Sequence, residues 1–162
     1  MHELKIQFVL SLIITTLAIP FLYAGVSNSP QAGNLDWKAG VARTIITPEE
    51  PMWLAGYAAR THPSAGTMHD LWAKALVLED ADGHMAVLIT TDLLEFPKKL
   101  SDNIRDRLES NYHLSRSQII LSSSHTHSGP MVWPGNTVMF RGTEEERRVC
   151  EQYACTLIDN LA

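Results

Sequence analysis

Two histidines one residue apart carry the strongest chemical signal in the chain. In "SSSHTHSGP", residues 122–130, His125 and His127 flank Thr126, follow three serines and precede a Gly-Pro stop. If the segment is extended, side chains two apart point the same way, so both imidazoles can reach one point in space. Neutral imidazole is the commonest zinc ligand, and a nearby carboxylate can ligate too or orient a ring through its other nitrogen. Asp92, which closes "ITTD", is the carboxylate that fits; the competing reading is a turn or helix cap. Loop histidines that only bond to backbone are the competing reading of the pair itself. Ser122, Ser123, Ser124 and Ser128 lack a G-x-S-x-G elbow, so they are assigned hydrogen bonding rather than attack.

For Asp92 and the histidines to meet, their segments must end on one edge of a sheet. "WKAGVARTIIT" reads as a first strand. "LWAKALVLED" and "HMAVLITTD" follow as two more, joined at Asp82-Gly83, a hairpin signal. The unbroken apolar run "MAVLIT" suits a strand covered on both faces. "PKKLSDNIRDRLESNYHL" is the clearest helix: Leu100, Ile104 and Leu108 form one stripe, and Arg105, Asp106 and Glu109 read as a solvated face. "SQIILSSS" is the next strand. Strand, helix, strand is a βαβ unit whose two strands run parallel, and ligands of open α/β sheets sit at the carboxyl ends of such strands. A last helix opens at Thr143 with Glu146 as its capping-box partner and an apolar stripe of Val149, Tyr153 and Leu157. The expected fold class is therefore α/β, a mixed sheet with a βαβ unit, forming an incomplete part of a larger catalytic domain.

Bulk properties narrow the function classes. The 45% apolar and 19% charged content is that of a folded protein, and a net charge of -5 gives no basic face for nucleic acid. Residues 1–24 have the layout of a secretory signal peptide, with an uncleaved membrane anchor as the alternative. Residues 25–36 are a polar linker, and 37–162 form the folded region. The expected location is thus secreted or periplasmic, or membrane-anchored if the leader stays. Export favours disulfides, but Cys150 and Cys155 lie five residues apart in one helix, roughly 8 Å from Cα to Cα and on diverging faces, and read as small buried apolar residues. His62, His69, His84 and His113 fall in loops or turns and read as exposed or structural.

In order and spacing, "AGVARTIITP", "LAGYAAR", "AKALVLED", "ITTDLL" and "SSSHTHSGP" resemble the N-terminal part of neutral/alkaline non-lysosomal ceramidases, over about Trp37 to Pro130. The resemblance implies a zinc amidase that cleaves the N-acyl bond of ceramide to sphingosine and fatty acid. It implies that His125 ligates Zn2+ and that His127 lies beside the metal near substrate. It also implies catalytic roles for Asp92 and the arginine of "GYAAR", Arg60. Where the family usually has "GYG" this chain has Ala58 in third place, which requires an ordinary backbone conformation there. The family's remaining ligands, a His, a Glu and a Tyr, lie downstream, as does its immunoglobulin-like domain, and nothing here matches them. The chain thus resembles the opening segment of such an enzyme, expected to bind zinc weakly and hydrolyse ceramide poorly by itself.

The implied partner is a ceramide-like lipid, with contact to a membrane surface open. Met52, Trp53, Leu54, Met131, Val132 and Trp133 are candidates for an acyl groove, with protein core as the alternative. Two rival functions remain at this point: a metal-dependent amidohydrolase of another substrate class, and an exported lipid- or ligand-binding module with a degenerate metal site.

Overall fold

The structure, a computed structural model, describes residues 36–135 and 137–162. The signal peptide expected at 1–24 and nearly all of the linker expected at 25–36 lie outside the described residues. Four strands form one sheet in the order β1 (Lys38–Ile45), β2 (Trp72–Glu79), β3 (Met85–Thr91) and β4 (Ile119–Ser123). The first two junctions are antiparallel; β3 and β4 run parallel, joined through helix α1 (Lys98–Tyr112). The mixed α/β sheet and its βαβ unit are as expected. The β2–β3 hairpin turns at Gly83, whose φ of +84° only glycine adopts freely. There the Asp80 carboxylate accepts the backbone N–H groups of Asp82 and His84, which closes the turn and holds that carboxyl below its usual range.

Register divides the sheet into two unlike faces. Ala73, Ala75, Val87, Ile89 and Ile119 are buried on one side against α1 and α2 (Glu144–Leu161). On the other side Val41, Leu76, Leu88 and Ile120 line up directly across the four strands. Val41 is 82% and Ile120 55% exposed. The expectation that "MAVLIT" is covered on both faces is thus corrected. Leu88 and Thr90 are only half-buried, and the burial of β3 alternates although its hydrophobicity does not.

Leu100, Ile104 and Leu108 are the buried stripe of α1, as expected. Arg105 is not part of a solvated face: its guanidinium donates to the carbonyls of Arg116 and Ile119, tying α1 to the start of β4. In α2 the Thr143–Glu146 capping box forms as read from the sequence. Tyr153 and Leu157 are buried as expected, joined by Cys150, Ala154 and Leu161, while Val149 lies outside the stripe. The Tyr153 hydroxyl donates to the Ile46 carbonyl at 2.6 Å, and this buried bond fastens α2 just past the end of β1.

Both cysteines are free, Cys150 buried and Cys155 exposed, so only one of them is the small core residue expected. Burial pushes the Cys150 thiol up to about 11. At pH 8 an aromatic disulfide reagent should therefore titrate one of the two thiols in the native protein and both after denaturation. Tyr153→Phe should lower stability by about 1 kcal/mol in a urea melt, because it leaves the buried Ile46 carbonyl without its donor.

Candidate metal and catalytic site

Parallel pairing of β3 with β4 brings Thr91 level with Ser123, so both strands end on the same edge. The chain beyond β4 then runs beside the chain beyond β3. Ser124 N–H donates to the Thr91 carbonyl at 3.0 Å and Thr126 N–H to the Leu93 carbonyl at 3.3 Å. The histidine motif is laid along the segment that carries Asp92.

His125 is not extended. Its φ of +58° puts it in the left-handed region, and Ser123 is the last residue of β4. The i, i+2 reasoning for an extended segment therefore fails at the first histidine. The rings meet all the same, with centroids 5.2 Å apart and planes at 69°. That spacing matches the roughly 5 Å expected when two imidazoles share one tetrahedral ion at about 2 Å from nitrogen. His125 Nδ1 lies 3.0 Å from the Leu94 carbonyl oxygen. A carbonyl can only accept, so Nδ1 carries the proton and Nε2 keeps its lone pair for a ligand. Ser123 Oγ donates to the same carbonyl at 3.2 Å.

His127 is gripped from the second side by the loop between β1 and β2. Leu54 pairs with Pro130 as an antiparallel bridge, Ala55 N–H donates to Gly129 O at 2.9 Å, and Met131 N–H donates to Trp53 O at 2.8 Å. "GYAAR" is thereby folded over the same edge. Tyr57 places its ring 4.8 Å from the His127 ring, edge to face. Arg60 donates to the His127 carbonyl, with its guanidinium 5.5 Å from the Tyr57 ring centroid. Ala58 is not among the positive-φ residues, so the alanine is accommodated as expected; Gly56, at +102°, is the position that requires glycine.

Asp92 also sits at this edge, but its Oδ2 accepts the Trp72 N–H at 2.9 Å. The carboxylate clasps the start of β2, a tie between strands rather than the turn or helix cap of the competing reading. Of the groove candidates, Met52, Trp53, Met131 and Val132 are core, and only Leu54 and Trp133 are half-buried. His62 and His69 are exposed and bonded to neighbouring carbonyls. Among the described residues, Asp80, Asp82 and His84 make the one cluster of three His, Cys, Asp or Glu ligand atoms. It sits on the hairpin, ~20 Å along β3 from the histidine motif, and its Asp80 is consumed by the turn. A cleft of about 570 Å³ beside the start of α1 is lined by Glu95, Lys98 and Asp102 and touches neither His125 nor His127.

Three buried side-chain polar atoms lack a hydrogen-bond partner among the described residues: Arg60 Nε, Thr91 Oγ1 and His127 Nδ1. Buried polar groups are almost always satisfied, so an orphan calls for a role or a missing group. All three belong to residues of this one edge. Sequence reasoning missed Thr91, Gly56, Tyr57 and the Leu94 carbonyl. "GY" lay inside a motif already singled out, but a backbone oxygen leaves no trace in residue types.

A family model for the N-terminal region of neutral/alkaline non-lysosomal ceramidases matches residues 37–145, and the chain belongs to that family. It is 28% identical over 120 residues to the neutral ceramidase of Pseudomonas aeruginosa, covering 72% of this chain and 18% of that protein. The crystal structure of neutral ceramidase from Pseudomonas aeruginosa aligns with a TM-score of 0.56 and 30% identity over 60% of this chain and 16% of that one. A ceramidase complexed with C2 aligns with a TM-score of 0.65 and 24% identity, over 79% of this chain and 21% of that one, and shows the shared fold. The chain thus spans about a fifth of the length of these relatives.

The His125–Leu94 bond predicts a tautomer. Long-range proton–nitrogen NMR at neutral pH should show His125 Nδ1 as the protonated nitrogen and Nε2 as the bare one. The opposite assignment would remove Nε2 as a ligand atom.

Proposed function

We propose that this chain supplies part of the active site of an exported, zinc-dependent amide hydrolase that cleaves the N-acyl bond of ceramide to sphingosine and fatty acid. The observation that carries the reading is the His125–His127 pair, its first ring locked by Leu94 so that Nε2 is free. Family membership supports the substrate class. The apolar stretch over 6–24 supports export.

The donor set fits a zinc ion in part. Two imidazoles at the right spacing would be two of the three protein ligands a catalytic site normally takes. Among the described residues no further His, Cys, Asp or Glu joins them. The other ligands then come from outside the described residues. Zinc held there would supply a Lewis acid that acidifies water and polarises a carbonyl.

The remaining steps fall to the chain's own groups. His125 ligates. His127 stands next to it and offers Nε2 as the second ligand. Arg60 holds the His127 backbone in place by donating to its carbonyl. Asp92 acts through the scaffold, by fixing where β2 starts relative to the end of β3.

Zinc titration of the purified chain, followed by a ceramide hydrolysis assay, tests this. Weak binding that His125→Ala abolishes, with hydrolysis slow or absent, is the expected result for a site holding two of its ligands. Zinc binding unchanged by both His125→Ala and His127→Ala would sink the reading. Tight stoichiometric binding with fast turnover would mean that the described residues rearrange to bring a third ligand, Glu95 being the nearest carboxylate in sequence after Asp92.

A further inference from the structure

Gly56 occupies a position that excludes a side chain for two separate reasons. Its φ of +102° lies where L-residues are strained. Independently, a Cβ built on it would lie 2.7 Å from His127 Cγ, 2.8 Å from Nδ1 and 2.9 Å from Cβ. These are atoms at the root of the imidazole, not the tip of a flexible chain, so the ring could give way only by turning as a whole. The backbone cannot retreat either: the Leu54–Pro130 bridge and the Ala55–Gly129 and Trp53–Met131 hydrogen bonds pin the two segments together on the N-terminal side of Gly56.

We propose that Gly56 is a positioning residue for His127: its bare backbone is the seat on which the imidazole lies, with Tyr57 against the ring. The seat decides which nitrogen is presented. Nδ1 is buried against Gly56 without a partner among the described residues, and Nε2 is not one of the buried unpartnered atoms. Of the two nitrogens only Nε2 can then meet a ligand or a substrate beside His125. Residues 56–60 thus act on His127 three times, through the Gly56 backbone, the Tyr57 ring and the Arg60 guanidinium. What the held ring goes on to do rests on the hydrolase reading above; that it is held by Gly56 does not.

The test is a double-mutant cycle on the full chain with a metal-binding readout. Thermal unfolding is measured for wild type, Gly56→Ala, His127→Ala and the double variant. Backbone strain from φ acts in both backgrounds, whereas the clash acts only where the ring is present. Gly56→Ala should therefore lower Tm substantially in the wild-type background and by roughly half as much or less beside His127→Ala. If Gly56→Ala does not fold, recovery of folding in the double variant supports the seat, and failure of both overturns it. Equal effects in the two backgrounds overturn it as well.

Zinc affinity, measured by competition with a chromophoric chelator, should fall about tenfold or more in Gly56→Ala and stay unchanged in Ala58→Gly. A coupled pair whose zinc affinity is untouched would overturn the positioning role. A coupled pair in a wild-type chain that binds no zinc at all leaves the seat standing and defeats the zinc-hydrolase reading instead.

Discussion

Everything at the site depends on β3 and β4 being parallel neighbours. An antiparallel pair would put the end of one strand beside the start of the other, and the segments after Thr91 and Ser123 would leave from opposite edges. Parallel pairing requires a crossover, and α1 provides it with a stripe of Leu100, Ile104 and Leu108 that is buried with the sheet's inner face. Arg105 adds a fixed end to that crossover by capping the carbonyls of Arg116 and Ile119, where β4 begins. The register that follows, Thr91 opposite Ser123, sets the Leu94 carbonyl in reach of His125. A one-residue slip would turn every side chain of β4 to the other face and lose that bond.

The site is then assembled largely by backbone. Leu93 and Leu94 are core residues, 0% and 5% exposed, and their burial holds their carbonyls still. One carbonyl receives Thr126 N–H and the other receives His125 Nδ1. Asp92, between β3 and that pair, uses its carboxylate to hold Trp72, so the outgoing end of β3 and the incoming start of β2 are locked together. A rigid edge of this kind lets a short loop motif hold two rings at a defined spacing without a long supporting shell.

What the sequence disclosed and what it hid divide along physical lines. Periodicity exposed α1 because Leu100, Ile104 and Leu108 repeat at the helical spacing, and Thr143 with Glu146 marked the start of α2 through a local side-chain rule. Strand count, the βαβ unit and the shared edge followed from these. The exposure of the outer sheet face was hidden, because Leu88 and Val87 are equally apolar and hydrophobicity alone cannot say which side is covered. In α2, Tyr153 and Leu157 were legible as the buried stripe and only Val149 was misassigned, since Val149 and Cys150 are both small and apolar. The histidine motif was legible as a pair of residue types. Its geometry was not, because the left-handed turn at His125 is imposed by tertiary contacts rather than by its own sequence.

That turn is the one feature of the edge that local sequence and secondary structure do not account for. Two non-glycine residues among those described have positive φ, His113 and His125, both at +58°. His113 is accounted for by its place: it ends α1, and its N–H returns to the Glu109 carbonyl as a left-handed helix cap commonly does. His125 caps no helix. A strained residue costs of order 1–3 kcal/mol and persists only where its surroundings over-determine it. Here the surroundings are the Ser124 and Thr126 amides, each bonded to the chain beyond β3, and the Leu94 carbonyl, which takes the ring nitrogen. An extended residue at 125 would have continued β4; the left-handed one ends the strand and brings the first ring to the second. The structure thus carries a left-handed backbone at the residue whose ring is fixed by the Leu94 carbonyl, and beside it the buried His127 Nδ1 and Arg60 Nε have no partner among the described residues.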